Sequence, residues 1–139
     1  MSHRVRSWSV ALLLAGSLVF AGGCSGEARV SGTVTFDNQP LNTGVVSFHP
    51  VGTGPVALGK IDDSGRYTAV VGSGAGLPPG DYVVTVVANE PLIPPKDPRM
   101  APSPGKRITP EKYATKEKSD LKYTVTSGSN TIDLSIRSK

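Results

Sequence analysis

Residues Gly76 to Ala88, G-L-P-P-G-D-Y-V-V-T-V-V-A, read as a rigid turn feeding a strand. Pro78 and Pro79 hold φ near −65°, and Gly80 is free to take a positive φ. Tyr82, Val84, Val86 and Ala88 then fall on one face and Val83, Thr85 and Val87 on the other, so the strand is apolar on both sides. A strand of that kind needs a covered, central place in a sheet. An amphipathic helix is the competing reading, but the run carries no charge to form a polar stripe at a period of 3.6, and it is dominated by β-branched residues.

The remaining segments supply partners for that strand. Arg29–Asp37 alternates with Val30, Val34 and Phe36 inward, and D-N-Q-P turns the chain. Thr43–His49 points Val46 and Phe48 one way, and Val56–Ile61 is a weaker strand. Asp62-Asp63-Ser64-Gly65 makes a tight turn, and Arg66–Val71 returns with Tyr67, Ala69 and Val71 on one face. The glycine-rich Gly72–Gly76 leads into the central strand. Leu121–Thr126 and Thr131–Arg137 both alternate, and S-G-S-N between them predicts a hairpin. The expected fold class is therefore all-β, a seven-stranded two-sheet sandwich with no helix of consequence.

Residues 90–120 break the alternation with seven prolines, too many for a helix or an interior strand. From Lys96 to Lys122 eight basic residues face four acidic ones. Two readings stay open for this loop. It is a solvated crossing at one end of the sandwich, or it is a contact surface built from Lys106, Arg107, Lys112, Tyr113, Lys116 and Lys118. Thr109 and Pro110 predict a capped helical turn over Glu111–Tyr113 that pins Tyr113 onto the sandwich.

The N-terminus reads as an export signal: Arg4 and Arg6, an apolar run from Val10 to Phe20, and A-G-G-C at Ala21–Cys24. The run is shorter than the ~20 residues that a transmembrane helix needs. Removing residues 1–23 leaves 116 residues, one domain by length, with 13 basic against 11 acidic residues, about +2. That balance, with no basic stripe interleaved with aromatics, argues against nucleic acid as a partner. Cys24 is the only cysteine, so an intramolecular disulfide is impossible. Simple cleavage near Gly23 would leave a free thiol.

The A-G-G-C run resembles the lipobox of bacterial lipoproteins, with Ala21 where leucine is usual. The resemblance implies that Cys24 carries diacylglycerol and becomes the acylated first residue, residues 24–28 being a short tether to a domain over 29–139. Two or three acyl chains hold a protein stably on a membrane. Ser25, in place of the aspartate that signals inner-membrane retention in that family, implies the outer membrane before the inner. A second resemblance joins V-S-G-T-V-T-F-D-N-Q-P-L, I-D-D-S-G-R-Y-T and L-P-P-G-D-Y-V-V-T-V. Together these are similar to the carboxypeptidase regulatory-like domain, a transthyretin-like β-sandwich with an Ig-like arrangement of strands. It implies a non-catalytic module of the cell envelope.

Catalytic chemistry finds little footing. After signal removal His49 is the only histidine, too few for a metal site or a triad. Asp62 and Asp63 lack the alternating carboxylates of a calcium loop. The hydroxyisourate hydrolases share the transthyretin-like fold, but their paired histidines and terminal Y-R-G-S are missing from a chain that ends I-R-S-K. The expectation is no enzyme activity, no metal and no cofactor. The expected function is protein interaction or structural support by an envelope lipoprotein with an envelope protein as partner, and edge strands leave a dimer open. The alternative is a binding protein for a small ligand or glycan at the loops of one end, though Trp8 leaves with the signal and no tryptophan remains for a glycan platform.

Overall fold

The computed structural model describes residues 26–74 and 76–139, so Cys24 and the signal residues lie outside it. Two sheets pack as a sandwich. In the first, β1 (Arg29–Phe36) pairs antiparallel with β2 (Gln39–Pro40) and β5 (Arg66–Ala69), and parallel with β8 (Ser129–Thr131) and β9 (Leu134–Ile136). Residues Val30 and Ser31 meet both β5 and β8, which puts those two on opposite edges of β1. The second sheet has the order β4 (Ala57–Lys60), β3 (Val45–Pro50), β6 (Gly80–Val87), β7 (Lys122–Val125), all antiparallel. A bridge between Leu58 and Val70 stitches β4 to the end of β5 and joins the sheets at one corner.

The strand that opened the sequence reading occupies the expected interior place. Val83, Val84, Thr85 and Val86 are all buried, so β6 is covered on both faces. Gly80 takes φ 154°, and the Tyr82 hydroxyl donates to the Pro78 carbonyl at 2.7 Å, which ties the turn to the strand it feeds. The inward alternations hold for every expected strand. Val30, Val34, Val46, Phe48, Tyr67, Ala69, Val125, Leu134 and Ile136 form one core, with the Phe48 ring 6.1 Å from both Tyr67 and Tyr82. Burial pushes the Tyr67 phenol well above its ordinary range, and its proton is donated to the Ile132 carbonyl at 2.7 Å.

Both tight turns form as read. Asp37 and Asn38 adopt left-handed φ values of 48° and 66° between β1 and β2. Asp62 Oδ1 accepts from the Ser64 and Arg66 amides at 2.8 and 2.9 Å, bonds that hold its carboxyl below the usual carboxylate range.

The expected C-terminal hairpin does not form. β7 extends the second sheet beside β6, and β8 and β9 cross to the first sheet. Asn130 closes the loop at the crossing: its side chain accepts from the Thr126 amide at 3.0 Å and donates to the Thr126 carbonyl at 2.7 Å. The chain beyond it lies along an edge of β1 that a hairpin would have left unpaired. Asp133 fills the gap between β8 and β9 by accepting from the Thr33 amide at 2.8 Å.

Candidate functional site

Residues 88–121 divide into two parts with different work. The upper part is an arm. The Glu90 amide donates to the Lys106 carbonyl at 2.8 Å, and Ile93 and Ser103 exchange amide-to-carbonyl bonds at 2.9 and 3.1 Å. Met100 closes the tip by donating to the Asp97 carbonyl at 3.0 Å, while Asp97 Oδ1 accepts from the Arg99 amide. The prolines donate nothing to this ladder, which uses the amides of non-proline residues alone. Leu92, Ile93 and Met100 stand 65%, 56% and 66% exposed on it.

The lower part covers the edge of β6 that β7 is too short to reach. Ile108 donates to the Ala88 carbonyl, and Thr109 Oγ1 donates to the Val86 carbonyl and accepts from the Ala88 amide, both at 3.2 Å. The Ser119 hydroxyl donates to the Val84 carbonyl, and the Leu121 carbonyl accepts from the Val84 amide at 2.8 Å. Two hydroxyls and two backbone groups thus stand in for a strand.

This arrangement revises the expected contact surface. A 3-10 turn forms over Glu111–Tyr113 and Tyr113 is pinned as expected, but it is buried in the core cluster and offers nothing outward. The turn has no side-chain cap: Pro110 stands at its N-cap position, and Thr109 is engaged on β6. Lys112 lies 4.4 Å over the Tyr113 ring and 4.0 Å from Asp120, and its hydrogen bond to Tyr113 raises its pKa. Lys116 donates to the Pro50 carbonyl at 3.2 Å, and Lys118 pairs with Glu111 at 2.8 Å. Lys116 ties the segment to the end of β3, while Lys112 and Lys118 pair within the segment. Lys106 and Arg107, on the return leg of the arm, are exposed, and neither has an ion pair among the described residues.

A groove of about 880 Å³ lies beside the base of the arm, on the outer face of the second sheet. Val45, Leu58, Val70 and Val87 give it an apolar floor, and Thr43, Lys60, Thr68 and Asn89 stand at its rim. The register explains the cluster: Val45 is paired with Lys60 on one side and Val87 on the other, and Leu58 bridges to Val70. One signal for it was present in T-G-V-V-S-F-H, where sending Val46 and Phe48 inward leaves Val45 on the solvent face.

His49 sits half-buried on the same face, its Nε2 3.1 Å from Thr85 Oγ1. Burial lowers its pKa, and the Lys116 charge adds to that while Glu117 opposes it. Among the described residues no cluster of three His, Cys, Asp or Glu side chains could hold a metal ion, and no helix is long and apolar enough to cross a membrane.

No family model matches the chain, and no curated protein matches it. Among solved structures it is similar to a DUF3823 family protein from Parabacteroides merdae, at 12% identity and a TM-score of 0.43, over 80% of this chain and 46% of that one. The chain thus spans about half the length of that protein.

Proposed function

We propose that this chain is a non-enzymatic, lipid-anchored β-sandwich module of the bacterial cell envelope, of the carboxypeptidase regulatory-like kind, which works by contacting protein through its arm. The observation that carries the reading is the ordered arm itself: three large apolar side chains are held out in solvent by a hydrogen-bonded ladder. Three large apolar side chains exposed within one short segment favour a contact site. The anchoring half rests on A-G-G-C and the lone Cys24, with the outer membrane favoured by Ser25.

The geometry suits a tethered module. Ala28 exchanges backbone bonds with Leu77 at 2.7 and 2.8 Å, three residues before β6 begins, and the arm leaves from the other end of β6. Eight strand residues separate those ends by about 26 Å. A lipid on Cys24 and a partner on the arm would occupy opposite ends of the molecule.

Two measurements test the halves separately. Cells making the full chain should incorporate labelled palmitate, and Cys24→Ala should abolish the label and leave an unprocessed precursor; a normally processed soluble form overturns the anchor. Lysine crosslinking on intact cells should give products that disappear when Leu92, Ile93 and Met100 are all changed to Ser, and an unchanged pattern overturns the contact surface. The apolar groove favours a second reading, binding of a small apolar ligand. Saturable uptake of an apolar fluorophore, lost in Leu58→Asp and indifferent to the arm, would support it.

A further inference from the structure

We propose that the arm's occupant is the groove of a second copy of this chain, in a two-fold pair where each molecule lays the arm segment that carries Leu92, Ile93 and Met100 over its partner's Val45, Leu58 and Val87. The inference rests on the reading of the arm as a contact surface and names what it touches.

Three observations carry it. Each molecule presents both halves of the contact, an apolar projection and an apolar recess, and Asn89 is at once the foot of the arm and part of the groove rim. A patch that contains both halves can meet itself about a two-fold axis, residue i on j and j on i, and such an interface closes without leading to filaments. The arm starts where β6 ends, with Asn89 bridged to Arg107 and Ile93 to Ser103, and none of its residues beyond Asn89 lines the molecule's own groove. From Glu90 to Asp97 the arm reaches about 23 Å at strand rise, enough to cross a neighbour's groove.

The charges agree. Asp62 and Asp63 lie just past Lys60 at the end of the groove and are exposed, which gives the incoming tip's Lys96 an anionic landing point.

The test is a photo-crosslinking amino acid at Met100 of the full chain, in cells that also make a differently tagged copy. The expected product joins the two tags, maps to a peptide containing Val45 or Leu58 of the other copy, and falls about tenfold when that copy carries Leu58→Asp, which sets an unpaired charge against the apolar tip. Three results overturn the pairing. An adduct within one chain means that the arm serves its own groove. An adduct to a different protein leaves the arm a contact surface with another occupant. No adduct at all removes the contact surface as well.

Discussion

Thr109 is 2% exposed, and its hydroxyl bridges two backbone groups of β6, the Val86 carbonyl and the Ala88 amide. Thr109→Val keeps the shape and removes both bonds, leaving a buried donor and acceptor unpaired. It should destabilise by about 2 kcal/mol, whereas Thr109→Ser keeps the hydroxyl and loses one methyl, at about 1 kcal/mol. Urea unfolding of both variants checks the order, and a valine variant as stable as the serine one would show that the bridge contributes nothing. His49 supplies a pH dependence. Its folded-state pKa lies below the ordinary 6.5, so between the two values the unfolded chain binds the extra proton and stability rises with pH. Acidification through that window therefore weakens the fold, while Asp62, also depressed, gives up its contribution only below 3.8. Melting temperature should fall between about pH 7 and pH 5, and His49→Gln should flatten that step while leaving the loss below about pH 4. A variant with the wild-type profile would assign the step to another group.

At the scale of elements, the arm depends on a close approach at its base. A Cβ on Gly105 would stand 2.2 Å from the Glu90 carbonyl oxygen and 2.5 Å from that of Pro91. Gly105→Ala should push the two legs apart and raise amide exchange at Glu90 and Ile93 by about fivefold, the equivalent of one backbone hydrogen bond. Exchange in β3 and β6 should stay as it was; protection lost there too would make the arm part of the core. The same region shows which elements were legible in the sequence. The six strands of four residues or more were, and most of their inward faces with them, because alternation is local and Val30, Val46 or Leu134 needs no distant information to declare its side. Pairing is different. Placing β9 on β1 joins Val34 to Leu134 across the length of the domain, a pairing that local alternation does not distinguish from the nearer hairpin. The arm was hidden by its prolines, which forbid a continuous ladder and yet allow one that uses the amides between them. Of the expected contact residues, Tyr113 and the three lysines near it were read by charge and position, but their partners, Pro50, Glu111 and Asp120, came from folding.

The whole molecule then separates into a sandwich that stands by itself and an arm that it displays. No residue between Ala88 and Thr109 belongs to the buried core, while Thr109, Tyr113 and Ser119 just beyond are all buried. The boundary of the folding unit therefore falls at the Glu90–Lys106 pair, not at the ends of the proline-rich segment. Replacing residues 91–105 by Asn-Gly should close β6 onto its covering segment with a two-residue turn. A shorter loop lowers the entropy of closure, and no core contact is lost, so the melting temperature should stay within about 3 °C of the parent. Loss of cooperative unfolding would place the arm inside the folding unit. In cells the shortened chain should still take up palmitate at Cys24 and give none of the arm-dependent crosslinks. Anchoring and contact would then be separable properties, with Ala28 bonded near one end of β6 and the arm leaving from the other.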